Sequence, residues 1–113
     1  MIGIRGAIAE VKNTSEEIIQ SSKNLFTEIL EVNNLEIDKI ISVLFTLTHD
    51  LTEAFPAKAL RELGHTTIPA IDTLAPNIKY DLEGCIRILV HYEDNVNVKH
   101  VYLGEAKKLR PDR

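Results

Sequence analysis

The segment CIRILVHYE, residues 85–93, has the composition of a strand at the centre of a β-sheet. Isoleucine, leucine and valine dominate it, and β-branched residues favour an extended backbone. Arg87 interrupts this apolar run. Its charge would be costly if it were buried without a partner, so the guanidinium needs either a structural ion pair or a ligand in a polar pocket. The segment therefore predicts a central strand that carries one residue of functional interest.

Further segments with strand-like sequence lie on both sides of it in the chain. KIISVLFTLTHD, residues 39–50, is mostly apolar and β-branched, which predicts a strand covered on both faces. Residues 2–12 are predicted as a strand from their β-branched content and from glycines that allow close backbone approach. TTIPAIDTLAP, residues 66–76, predicts an edge strand or a loop, because its two prolines cannot donate ladder hydrogen bonds. HVYLGEAKKLR, residues 100–110, predicts one or two shorter strands.

A long helix is predicted to begin at NTSEE, residues 13–17, where Thr14 and Glu17 have the spacing of a capping box. It is expected to end near VNN, residues 32–34, because asparagine tolerates the left-handed conformation that ends helices. The apolar residues between these ends form a stripe of helical period: Ile18, Ile19, Leu25, Phe26, Ile29 and Leu30.

A second, shorter helix is predicted within LTEAFPAKALRELG, residues 51–64. Pro56 suits the first turn of a helix, and Gly64 can close its last turn. The residues between them have high helix propensity. On this helix Lys58 and Arg61 lie three positions apart and therefore share a face.

The 113 residues are expected to form one domain, 1–113, and a content of 44% hydrophobic and 27% charged residues is typical of a globular protein. The order of the segments predicts an α+β fold, in which helices pack on one side of a mixed β-sheet. Such a small sheet leaves an edge or an apolar face uncovered, and symmetric oligomerisation is a common way to cover it. We therefore expect a homo-oligomer.

The charge and the cysteine content limit the classes of binding partner and the cellular compartment that we expect. A net charge of -4 and only 5% aromatic residues argue against a protein that binds nucleic acid through a broad basic face or stacked aromatics. Cys85 is the only cysteine, so no internal disulfide forms, which indicates a reducing compartment and the cytoplasm by default. No apolar stretch approaches the length that spans a membrane, so no membrane partner is expected.

Positive charge is concentrated at a few places in this acidic chain. Arg5 stands between glycines on the first predicted strand, and Arg87 stands in the central one. With Lys58, Arg61 and Arg110 they could supply several donors to a small dianion, since guanidinium groups bind carboxylates through two hydrogen bonds. For Arg87 alone, an ion pair with an acidic side chain is an equally good explanation.

Five segments, in order and spread over nearly the full chain, resemble the monofunctional chorismate mutases of the Bacillus type, the AroH class. They are GIRGA (3–7), FPAKALREL (55–63), CIRIL (85–89), HVYL (100–103) and LRPD (109–112). The resemblance implies a homotrimer with the appearance of a pseudo-α/β barrel and with active sites between adjacent subunits. It also implies conversion of chorismate to prephenate, an intramolecular Claisen rearrangement that needs no nucleophile, cofactor or metal.

The resemblance also assigns roles to individual residues. It implies that Arg87 is the catalytic cation beside the ether oxygen, that Arg5 binds a substrate carboxylate, and that Tyr102 donates its hydroxyl to the side-chain carboxylate. The other residues that it implies for substrate binding, at the pocket, its entrance or the C-terminal segment, are Phe55, Ala57, Lys58, Arg61, Ile71, Leu109 and Arg110.

One position departs from the family pattern. Ala75 stands where the best-known pattern has a glutamate that accepts a hydrogen bond from the ring hydroxyl, and Asp72 stands where that pattern has a cysteine. We expect Asp72 to be a catalytic residue that replaces this glutamate and pairs electrostatically with Arg87. The alternative is that Asp72 caps the turn DTLAP, as aspartate often does.

Two other functions remain compatible with the pattern of arginines. One is a trimeric protein that binds an anionic metabolite without transforming it, and the other is a RidA-like imine deaminase of similar architecture. The fold alone cannot separate them from a mutase. FPAKALREL, followed by CIRIL, HVYL and LRPD in that order, favours the mutase.

Overall fold

The structure, a computed structural model, describes residues 1–109 of the chain. The strands are β1 (Ile2–Ala9), β2 (Ile40–Leu47), β3 (Ala70–Leu74), β4 (Ile86–Tyr92) and β5 (Val101–Gly104). The α-helices are α1 (Ser15–Asn33) and α2 (Lys58–Glu62), and short 3₁₀ helices span Ile37–Lys39 and Glu105–Leu109. No helix within the described part of the chain is long and apolar enough to cross a lipid bilayer.

The strands form a single mixed sheet in the order β3-β2-β4-β1-β5. Strand β4 lies at its centre and runs antiparallel to both neighbours, β1 and β2. The outer pairs, β2 with β3 and β1 with β5, are parallel. The predictions of a central strand at CIRILVHYE and of an edge strand at TTIPAIDTLAP are confirmed, whereas HVYLGEAKKLR supplies one strand followed by a 3₁₀ helix.

Helix α1 begins and ends at the predicted residues. The Thr14 hydroxyl accepts a hydrogen bond of 3.1 Å from the Glu17 N–H, which satisfies one donor of the first turn. Asn34 adopts the left-handed conformation, with φ 52°, and ends the helix. The buried stripe of α1 packs so closely on β1 that a Cβ at Gly6 would lie 2.9 Å from Ile29 Cδ1. Glycine at this position therefore allows the helix to approach the sheet.

Helix α2 follows Pro56, whose carbonyl accepts a hydrogen bond from the Ala59 N–H, and is closed by Gly64 at φ +90°. It contacts α1, and Lys23 on α1 forms a 2.9 Å ion pair with Glu62 on α2. Both helices consequently lie on the same side of the sheet, as predicted.

Neither α-helix covers the other side of the sheet, where Ala106 of the second 3₁₀ helix packs on Ala7, Ala9 and Cys85 at one end. Because side chains alternate along a strand, the register places Val43, Phe45 and Leu47 towards the helices and Leu44 and Thr46 away from them. The first three are buried and the other two only partly so. The prediction that β2 is covered on both faces is therefore wrong for the single chain. We call the side without α-helices the open face; its residues include Arg5, Leu44, Thr46, Arg87, Leu89 and Tyr102.

Candidate active site

The open face brings together three of the residues predicted to bind substrate. Ala7 on β1 lies opposite Arg87 on β4 and also opposite Tyr102 on β5, so these two side chains flank it. Arg5 projects from the same face of β1, two residues before Ala7. Ala7 itself is buried, and Tyr102 packs against the cluster that it forms with Ala9, Cys85 and Ala106. Arg5 is 82 positions from Arg87 and 97 positions from Tyr102 in the sequence. Strand pairing brings the three residues together.

A shallow cavity of about 210 Å³ lies on this face. Arg5 and Arg87 supply its charged groups, Thr46 a hydroxyl, and Leu44 and Leu89 much of its apolar surface. An apolar surface with a few polar groups is typical of a site for a small organic ligand. The two guanidinium groups suit an anionic one.

Two hydroxyl groups near these arginines are buried without a hydrogen-bond partner among the described residues. They are Thr46 Oγ1 and the Tyr102 hydroxyl. A buried polar group without a partner costs about 1–3 kcal/mol, so most such groups in folded proteins are paired. Thr46 lines the cavity, so a bound ligand could satisfy its hydroxyl, whereas Tyr102 packs against the buried cluster around Ala7.

Arg87 has a carboxylate partner that the sequence analysis missed. Its Nη2 lies 3.4 Å from Asp81 Oδ2, and the two side chains are 28% and 29% exposed. Asp81 belongs to the loop between β3 and β4, six residues before Arg87. An acidic residue so close in sequence was the available signal, but a loop conformation cannot be inferred from that spacing.

Asp72 lies elsewhere. It pairs with Phe45 in the sheet register, whereas Arg87 pairs with Thr46, so the two side chains leave opposite faces. The predicted pairing of Asp72 with Arg87 is therefore wrong within the chain. The Asp72 carboxylate accepts a hydrogen bond of 2.9 Å from the Ala57 N–H, so it does not cap its own turn either.

The surroundings of Asp72 act on its protonation in opposite directions. Burial raises the pKa of the carboxyl group above its ordinary value, while the Ala57 N–H and the charge of Arg61 oppose that shift. Asp72 thus ties the edge strand β3 to the segment that contains Ala57.

The remaining predicted residues fall into groups set by the fold. Phe55 is 69% exposed, Lys58 and Arg61 are exposed on α2, and Ala57 is buried beneath them. We call these four residues and Asp72 the helix-side group. Ile71 is exposed on β3, opposite Leu44 and thus on the open face. Leu109 ends the second 3₁₀ helix, and Arg110 lies outside the described residues.

Comparison with known proteins covers the chain from end to end. The family model for chorismate mutase type I matches residues 1–113. The chorismate mutase AroH of Thermus thermophilus is 39% identical over 97% of this chain and 93% of its own length. The chorismate mutase AroH of Bacillus subtilis (strain 168) is 37% identical over 97% of this chain and 90% of its own length.

A solved structure has the same fold. The chorismate mutase from Clostridium thermocellum matches with a TM-score of 0.92 and 40% identity, over 96% of this chain and 99% of that chain. This likeness confirms the predicted α+β architecture, with a mixed sheet and its helices on one side. Since likeness in sequence and likeness in fold both extend over nearly the whole length, the chain belongs to the type I chorismate mutase family and is an isomerase that acts on chorismate.

Proposed function

We propose that Arg87 stabilises the transition state of the rearrangement of chorismate to prephenate, in a site that two subunits of a homotrimer form together. The observation that supports this proposal is that the residues predicted to bind substrate lie on opposite sides of the sheet. Arg5, Arg87 and Tyr102 lie on the open face, and the helix-side group lies across the sheet from them. One chain cannot place both groups around one small molecule.

The chemistry explains why arginines suit this site. In the rearrangement, an ether C–O bond breaks while a C–C bond forms, and the ether oxygen becomes electron-rich. A preorganised donor stabilises this charge where it develops, and holding the flexible substrate in its reactive conformation supplies much of the remaining acceleration. We assign the first task to Arg87 and the binding of a substrate carboxylate to Arg5.

The exposed edge of the sheet supports assembly. Ile71 and Leu74 on β3, together with Phe55 and Ile78 beside it, are large apolar side chains that the single chain leaves exposed. An uncovered edge strand with apolar side chains favours association with another copy. In a closed ring, this edge of one subunit meets a different surface of the next, so the helix-side group can approach a neighbour's open face.

The other two functions considered from the sequence are not favoured, because the family and its solved relative are chorismate mutases. We further propose that the enzyme works in the cytoplasm. Cys85 supports this, since it is the only cysteine of the sequence and the chain therefore forms no internal disulfide that would need an oxidising compartment.

Mixing two inactive variants tests the shared site. One variant carries Arg87→Ala, and the other carries Lys58→Ala with Arg61→Ala. Suppose that each site takes Arg87 from one subunit and the helix-side group from its neighbour. In a random equal mixture, Arg87 is intact in about half of the sites and the neighbour's Lys58 and Arg61 in about half, so about a quarter of the parent activity returns. Chorismate consumption in the presence of a chelator measures this, and native mass gives the number of subunits. Activity no higher than the average of the two variants would place both groups in one subunit.

Tyr102→Phe is expected to lower kcat/KM by about tenfold without lowering the melting temperature. The hydroxyl has no partner within residues 1–109, so its removal breaks no hydrogen bond there and relieves a buried polar group. The predicted bond to the substrate carboxylate is lost. Steady-state kinetics and thermal unfolding measure the two effects, and a lower melting temperature with unchanged kinetics would contradict the assignment.

A further inference from the structure

We propose that Asp81 is the positioning residue for Arg87, and that its carboxylate holds the guanidinium in the orientation that faces the ether oxygen. This inference rests on the proposed catalytic role of Arg87. It assigns a function to a loop residue that lies outside all five segments of the family resemblance.

The Asp81 carboxylate is itself oriented by contacts at both of its oxygens. Its Oδ1 accepts a hydrogen bond of 2.8 Å from the Leu82 N–H, while Oδ2 faces Arg87 Nη2 at 3.4 Å. The loop reaches this geometry through a left-handed residue at Tyr80, with φ 65°. Behind it, the Gly84 N–H donates to Asp50 Oδ2 at 2.9 Å. Both carboxylate oxygens of Asp81 are thus oriented before any substrate binds.

The contact with Asp81 uses one edge of the guanidinium and leaves the others for substrate. A guanidinium carries five N–H donors in a rigid plane, so one partner at Nη2 fixes the direction of the remaining donors. The two side chains are largely withdrawn from water, which makes their attraction stronger than that of a fully exposed pair. A separation of 3.4 Å is longer than the roughly 2.8 Å of a strong charge-assisted bond, so Arg87 keeps its capacity to bind elsewhere.

A fixed partner for Arg87 matters in this reaction because the substrate itself could draw the guanidinium away from the ether oxygen. The substrate carries two carboxylates, and an unrestrained arginine beside them would pair with a carboxylate through two hydrogen bonds. That arrangement binds substrate and transition state equally and does not accelerate the reaction. A fixed negative charge at Nη2 opposes this rotation and keeps donors directed at the ether oxygen.

No other carboxylate within residues 1–109 pairs with Arg87. Ala75, at the position of the family glutamate, has no acidic group, and Asp72 lies across the sheet. Asp50 is engaged by the Gly84 N–H. Within one chain, Asp81 is therefore the carboxylate that orients Arg87.

Asp81→Asn tests the proposal, because asparagine keeps the shape and an oxygen that can accept the Leu82 N–H but removes the charge. We expect kcat to fall by about 10- to 100-fold, the scale of a misplaced catalytic group, while KM changes by less than about threefold. Glu83→Gln is the matched control, since Glu83 is an exposed acid of the same loop and should leave both constants unchanged. Equal melting temperatures in the parent and both variants would show that folding is intact.

A double-mutant cycle shows whether Asp81 acts through Arg87. In an Arg87→Lys background, where no planar guanidinium remains to be oriented, Asp81→Asn should lower kcat by less than about threefold. An equal loss in both backgrounds, a parallel loss of stability, or a parent-like kcat in Asp81→Asn would overturn the inference. Any of these results would contradict the role of Asp81 but not the proposed function. The proposed function is contradicted by a different result, an Arg87→Ala variant that retains the parent rate.

Discussion

Arg87→Lys is expected to lower kcat by about 100-fold or more, although the positive charge is retained. A lysine ammonium is a compact point charge on a flexible chain, and it cannot present several donors in one plane. It would pair with Asp81 or with a substrate carboxylate and leave the ether oxygen without a fixed donor. Rates of chorismate loss at saturating substrate measure the effect.

Replacing Arg87 by citrulline separates charge from shape. Citrulline is nearly isosteric with arginine and keeps most of its donors, but it is neutral. If fixed positive charge is the principal source of stabilisation, this variant should be at least as slow as Arg87→Lys. A citrulline enzyme that rearranges chorismate as fast as the parent would contradict the electrostatic mechanism.

Gly84→Ala is expected to lower the free energy of unfolding by about 3 kcal/mol or more. Gly84 has φ +57°, and a Cβ there would lie 2.5 Å from Val11 O and 2.8 Å from Val11 N. The backbone must therefore shift, although Val11 N–H donates to Gly84 O at 3.0 Å and joins this loop to the end of β1. Denaturant titration at one protein concentration measures the loss.

Gly64→Ala is the matched control for this substitution. Gly64 also has a positive φ, of +90°, but a Cβ there meets nothing within 4 Å. Only the backbone strain remains, and we expect a loss of about 1–2 kcal/mol. Equal losses at the two glycines would mean that close approach to Val11 contributes nothing to stability.

The local features of the fold were predictable because neighbouring residues decide them. The cap at Thr14 and the left-handed residue at Asn34 depend on side chains and backbone within one turn of helix. The central position of β4 followed from its apolar, β-branched sequence. Arg87 stood out because a charge in such a strand needs a partner.

The assignment of carboxylates could not be predicted in the same way. Asp72 and Thr73 are adjacent in sequence, yet only Thr73 shares the face of Arg87, because a shift of one residue in strand register exchanges the two sides of a sheet. Asp81 reaches Arg87 through a loop whose path depends on Tyr80 and Gly84. Within the chain, Arg87 therefore pairs with Asp81 and not with Asp72, which sequence spacing had favoured.

By itself, the sequence determined the strands and helices, the family, and the arginine on which catalysis is proposed to depend. These follow from residue types and short-range spacing, which act wherever the segment lies. The tertiary structure decided which side chains meet: it placed Tyr102 beside Arg87 across Ala7, separated Asp72 from both, and brought Asp81 to the guanidinium. The physical reason is that register and loop path arise from packing between distant segments, which no single segment encodes.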